Sequence, residues 1–178
     1  MTGTARRTGA LAGIALVLVV LLLSHRFGRA EPTGDYRPDI PLDGLKAGCY
    51  PLPNGVTLDF GYQVRHDGDV EVDGEARRRL TGQYDELDEP EALEAIVADF
   101  VEAGFVASKR PAPYEAVLRQ PGAGRADLVR VTVAQLPGIE EDTLVRGTFE
   151  LDLPVTEARS DAPECSDPRV TKRWDDDE

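Results

Sequence analysis

Arg77-Arg78-Arg79 is the only run of three basic residues in a 178-residue chain whose 33 acidic groups outnumber its 20 basic ones, giving a net charge of −13. Each guanidinium offers a planar fork of donors to a carboxylate or phosphate, so the triplet is a candidate contact for an anion or an acidic partner. The plainer reading is that it neutralises the neighbouring acids from Asp85 to Glu91. Cys49 and Cys165, the only cysteines, lie near the start and end of the segment that patterns as a folded domain. That placement suggests a disulfide closing the domain, which requires an oxidising compartment. A bridge over so long a loop is worth up to about 4–5 kcal/mol in the chain-entropy model. The alternative is two unpaired thiols, one buried and one in a loose tail.

Other motifs carry less. Asp67-Gly68-Asp69-Val70-Glu71-Val72-Asp73-Gly74-Glu75 has the carboxylate spacing of a calcium loop. Counted from Asp69, however, the twelfth position is Leu80 where a bidentate Glu is needed, and the interleaved valines point to a strand. Gly122-Ala123-Gly124 begins like a dinucleotide fingerprint but lacks the third glycine and leads into a strand-like run, which reads as a hairpin loop. Ser24, Ser108, Ser160 and Ser166 sit in no nucleophile elbow, and His66 flanks an Asp-Gly turn where a polar residue is ordinary. Two histidines and two cysteines are too few for a zinc finger or a multi-disulfide scaffold. Among so many acids some pair always has a suitable separation for hydrolysis, so no pair stands out. Trp174, beside Lys172 and Arg173, is either a partner-docking tip or a stray aromatic in a tail. No catalytic, cofactor-binding or metal-binding residue is assigned, and no cofactor is expected.

The elements that position these residues begin at the N-terminus. Ala10 to Leu23 is apolar and follows Arg6 and Arg7; extended from Thr8 to Phe27 it reaches about twenty residues, with Arg26 able to snorkel. It reads as an uncleaved single-pass signal anchor at 8–27, with 1–7 cytoplasmic. The competing reading is a signal peptide cut after Ala30, giving a secreted protein. Arginines on both flanks leave the orientation to the cysteines, which favour an extracytoplasmic domain. Residues 28–53 hold Pro32, Pro38, Pro41, Pro51 and Pro53 and read as an extended linker. From Glu31 onward all 33 acids remain while Arg6, Arg7, Arg26 and Arg29 are lost from the bases. Anionic headgroups repel such a surface, and so do the phosphates of a nucleic acid.

Residues 54–155 pattern as one α+β domain: an antiparallel sheet of five or six strands with one main helix packed on a face, preceded by the N-terminal membrane helix. The helix is expected at Glu89–Ala103, with Asp88 and Glu91 as a capping box and Gly104 as its stop. Leu93, Ile96, Val97, Phe100 and Val101 form its apolar face. Leu58–Arg65 and Asp69–Asp73 are expected to form a hairpin about Asp67-Gly68, with Val70 and Val72 inward. Glu75–Leu87 fits a helix or a strand equally. Strands are expected at Phe105–Arg110, Tyr114–Gln120, Asp127–Leu136 and Thr143–Leu153, divided by Pro-Gly and similar turns. The tail at 156–178 lacks periodicity and is expected to be mobile except where Cys165 pins it.

These readings lead to a membrane-anchored extracytoplasmic domain acting as a non-catalytic envelope binding or interaction protein, with an unknown envelope protein or small ligand as partner. The alternative is a secreted or anchored enzyme using Asp/Glu acid–base chemistry on a small molecule or glycan. A concave pocket with convergent, raised-pKa carboxylates between helix and sheet separates the two.

Overall fold

The structure, a computed structural model, describes residues 17–20, 42–108, 112–136 and 146–174. The chain divides into two units, Met1–Asp39 and Ile40–Glu178. In the first, Val17 to Val20 are helical and exposed. The rest of the 8–27 anchor, the 1–7 terminus, the Ala30 cleavage site and the linker up to residue 41 lie outside the described residues. Among the described residues, no helix is long and apolar enough to cross a membrane.

The second unit is an α+β fold. Its strands are β1 (Tyr62–Val72), β2 (Glu75–Asp85), β3 (Val106–Ala107), β4 (Glu115–Arg119), β5 (Val129–Gln135) and β6 (Arg146–Pro154), with the main helix α1 (Glu89–Glu102) between β2 and β3. They form one sheet ordered β1-β2-β6-β5-β4-β3, antiparallel throughout. The chain leaves β2, crosses over the sheet in α1, and returns strand by strand from the far edge until β6 fits between β2 and β5. The stretch Glu75–Leu87, ambiguous by pattern, resolves as β2. Residues 109–110 and 143–145, the ends of two expected strands, fall outside the described residues.

The hairpin turn lies six residues later than the sequence suggests. β1 runs unbroken through Asp67-Gly68, and the chain reverses at Asp73-Gly74, whose φ values of 54° and 79° suit a two-residue turn with both centres left-handed. The two Asp-Gly pairs are equivalent as local signals, so pairing with β2 chooses between them. A bulge at Arg65 sets that pairing: Val64 faces Gly82 while His66 faces Thr81. Past the bulge the alternation inverts. Asp67 joins the helix-side face opposite Leu80, and Val70 turns to the other face opposite Arg77. Val70 and Val72 are therefore half-buried on the outer side, not inward.

α1 begins as its sequence dictates. The Asp88 carboxylate accepts the Glu91 amide at 2.8 Å, and the Glu91 carboxylate accepts the Asp88 amide at 3.0 Å. It ends in a Schellman arrangement: Gly104 takes φ +92°, Phe105 N–H donates to Phe100 C=O and Gly104 N–H to Val101 C=O, both at 3.0 Å. Leu93, Ile96 and Phe100 are fully buried and Val97 half-buried. Val101, expected inside, is 47% exposed, and Ala92 takes its place in the core. The helix lies over β3, β4 and β5, whose Ala116, Leu118, Val129, Val131 and Val133 face it within one apolar cluster that also takes in Phe149, Leu151 and Leu153.

Gly82 is needed by that cluster. A methyl group there would fall 2.3 Å from Cζ of Phe149, a ring fixed edge-on by Phe60 and Tyr62 with centroids 6.0 and 6.2 Å away. Gly82→Ala is expected to cost about 1–3 kcal/mol through overpacking. Gly124→Ala, where the nearest atom is an Asp127 carboxylate oxygen at 3.6 Å, serves as the near-neutral control in urea unfolding. Equal midpoints for the two variants would show that the Phe149 ring is free to move.

Candidate functional site

The three arginines are separated by the pleat. Successive strand residues point to opposite faces, so Arg78 lies on the helix-side face and Arg77 and Arg79 on the outer one. Arg77 Nε donates to Asp152 Oδ1 at 2.7 Å, and its terminal nitrogens reach the carbonyls of Ala126 and Leu128. Arg130 shares the same carboxylate at 2.9 Å. Arg79 pairs with Glu150 at 3.3 Å, both roughly half exposed. The structure thus does not bring the triplet together as one basic patch; each guanidinium meets a carboxylate of its own chain.

Arg78 is the centre of the most ordered polar site. It is wholly buried, and it grips Asp67, itself 1% exposed, through two parallel bonds of 2.8 and 2.7 Å. Its remaining donors reach the carbonyls of Tyr50 at 2.8 Å and Pro51 at 3.0 Å. Arg173 closes the site from the C-terminal side, with bonds of 3.2 Å to Asp67 and 2.6 Å to Asp69, and its guanidinium carbon lies 4.3 Å from the Tyr50 ring centroid. Two carboxylates and two guanidiniums balance in charge, which lets the pair sit beneath the surface.

Two chain ends converge on this site. Residues 42–53, read from their prolines as spacer, fold onto the sheet instead: Gly44 to Gly48 form turns and Leu52 enters the core. The Asp43 carboxylate accepts the Leu45 and Lys46 amides at 3.0 and 2.9 Å. Nearby, burial first and the Asp43 charge second push the Tyr62 hydroxyl above the usual phenol range. The tail is ordered to Trp174, with a 3-10 turn at Pro163–Ser166 and a short helix α2 at Pro168–Thr171. Cys49 and Cys165 form the expected disulfide, their Cα atoms 5.1 Å apart. Asp67, Tyr50 and Arg173 are the members that sequence reading passed over.

The remaining motifs are structural. The His66 ring covers Gly68, where a Cβ would lie 2.9 Å from its Cε1. The Gly122-Ala123-Gly124 loop joins β4 to β5 as a hairpin, tied by the Gly124 amide to Asp127 at 3.0 Å. It borders a hollow of about 480 Å³ lined also by Pro53, Phe105 and Pro154. Among the described residues, no group of three or more Cys, His, Asp or Glu is placed to hold a metal ion. The Asp67–Glu75 string is strand and turn.

Between helix and sheet, apolar side chains fill the space. The carboxyl that burial raises is Asp99, on the rim of α1, where the Asp59 amide donates to it at 3.1 Å and lowers the pKa in part, while the Asp59 and Glu102 charges raise it further. A raised folded pKa means that the protonated form stabilises the fold. That contribution is complete below the ordinary Asp range and is lost as pH rises through the raised value. Asp99→Asn keeps an acceptor for the Asp59 amide and is expected to raise Tm slightly at pH 7, the gain shrinking to nothing as pH falls below the ordinary carboxylate range. A gain that persists in acid would assign the effect to something other than the charge.

Among the described residues, the outer face of the sheet carries no helix. Arg65, Thr81, Gln83, Thr132, Ala134, Thr148 and Glu150 line a shallow depression of about 410 Å³ across β1, β2, β6 and β5. Arg65 and Gln83 are joined at 2.9 Å, so the strands present hydroxyl, amide, guanidinium and carboxylate groups on a rigid support. In comparisons with known proteins, no family model, curated protein or solved structure matches the chain.

Proposed function

We propose that this chain is a non-catalytic interaction protein of the cell envelope, tethered to the membrane through residues 8–27, with its α+β domain on the extracytoplasmic side. The open outer face of the sheet is the surface that meets the partner. The observation that carries this reading is that, among the described residues, α1 covers one side of the sheet only and leaves the depression between Arg65 and Glu150 uncovered. Small-molecule sites are concave, largely apolar and enclosing. A shallow, open face whose accessible lining is mainly apolar, rimmed by Arg65, Gln83 and Glu150, matches the apolar centre and polar rim of a non-obligate protein contact. A folded envelope protein is therefore the partner proposed. The Cys49–Cys165 bond supports an oxidising location.

The test uses the full chain in its native membranes. After a high-salt wash, which strips proteins held by charge alone, a photo-crosslinking residue is placed at Thr148 on the open face or at Glu94 on the exposed side of α1. The reading expects the protein to stay with the membranes and one discrete protein adduct from Thr148 but not from Glu94. Release into the wash rejects the tether. Adducts from Glu94 alone, or from neither position, reject the face.

A further inference from the structure

The C-terminal strap, residues 156–174, holds its place without a hydrophobic anchor. Among the described residues, the apolar cluster of the domain includes nothing beyond Leu153, and within the strap only Cys165 and Thr171 are buried. What attaches it is the disulfide, a hydrogen bond from the Arg159 amide to the Cys49 carbonyl at 2.9 Å, another from the Asp67 amide to the Lys172 carbonyl at 3.0 Å, the Arg173 ion pairs and its stacking on the Tyr50 ring, and Thr171 seated closely on Gly44. The Arg173 partner Asp69 is roughly half exposed, so water competes for that pair. The other side of the bridge is fixed differently: Leu52 is in the core, and Arg78 holds the Tyr50 and Pro51 carbonyls. Opening the bond leaves one side anchored in the apolar core and the other held only by contacts outside it.

We propose that the Cys49–Cys165 bond is a redox clasp, opened by a dithiol reductant, that controls whether the strap covers the free edge of β1. A thiolate of the reductant attacks Sγ of Cys165, the partner nearer solvent at 8% exposure against 0% for Cys49, and Cys49 leaves as thiolate. The second thiol of the reductant then displaces Cys165. Two electrons pass to the protein, two cysteine thiols form after protonation, and the reductant becomes a disulfide. The strap lifts as a local unit, exposing the Asp67 amide and the carboxylates of Asp67 and Asp69. The sheet and α1 keep their packing because they share no apolar contact with what leaves.

The experiment compares the full-length chain oxidised and after dithiothreitol, following trypsin cleavage at Arg169, Lys172 and Arg173 together with amide hydrogen exchange. Reduction is expected to speed both strap cleavage and exchange of the Asp67 amide by about tenfold or more, as for a locally opening segment, while the amides of Val131 and Leu151 still exchange far more slowly than that of Asp67. Arg173→Ala with the bond intact is expected to leave cleavage at Arg169 at the oxidised rate. The proposal is overturned if reduction frees both thiols and the strap stays protected, or if Val131 and Leu151 come to exchange as fast as Asp67. It is equally overturned if native protein resists the reductant, or if Arg173→Ala alone releases the strap.

Discussion

Arg78→Ala is expected to destabilise the domain by about 3–5 kcal/mol, the range for removing one partner of a buried ion pair. The side chain is wholly buried, and its loss strands the Asp67 carboxylate, 1% exposed, together with the carbonyls of Tyr50 and Pro51. Arg173 remains near Asp67 but makes a single bond of 3.2 Å to it while also serving Asp69, so it cannot replace the bidentate pair. The neighbouring Arg79→Ala is the control. Its pair with Glu150 is roughly half exposed on both sides, and such pairs contribute at most about 1 kcal/mol. The double variant Arg78→Met with Asp67→Leu is expected to recover much of the loss, because the cost lies in an orphaned charge more than in a missing attraction. Urea unfolding of the four proteins decides the matter. Arg78→Ala and Arg79→Ala with the same midpoint would mean that Asp67 finds water or another donor.

That contrast between adjacent arginines also marks how far the sequence could be read. Local rules were enough for α1, whose cap at Asp88, stop at Gly104 and core residues Leu93, Ile96 and Phe100 are all short-range signals. They were enough for the antiparallel strands after it, each ended by Pro or Pro-Gly, and for the pairing of Cys49 with Cys165. They failed where a distant strand decides. Nothing near Asp67-Gly68 distinguishes it from Asp73-Gly74; the bulge at Arg65 and the register with β2 do. Once Glu75–Asp85 is known to be a strand, Arg78 falls in line with Leu80, Gly82 and Tyr84 on the inner face, and a buried Arg then demands a carboxylate. That signal was present but depended on resolving helix against strand first. Arg173 and Tyr50 had no local signal, because a disulfide joining the two ends brings them to the site.

Phe100→Ala is expected to cost about 3–5 kcal/mol, the range for truncating a buried aromatic, a large share of the 5–15 kcal/mol that holds an ordinary domain together. Phe100 is fully buried and meets Phe105 edge-to-face with centroids 5.2 Å apart. It is also the residue whose carbonyl accepts the Phe105 amide at the end of α1. The substitution therefore leaves the backbone closure intact and removes the apolar contact that accompanies it, while opening a cavity beneath the helix. Val101→Ala tests the face assignment directly. The heptad-like spacing gives the two residues equal claim to the core, but Val101 is 47% exposed, so its truncation is expected to stay within about 0.5 kcal/mol, as for ordinary surface changes. In thermal melts Phe100→Ala should lower Tm by about 6 °C or more, given 2–8 °C per kcal/mol at this size, with Val101→Ala near the parent. Comparable losses from both would place the helix rotated about its axis from the orientation described, with Val101 turned toward the sheet.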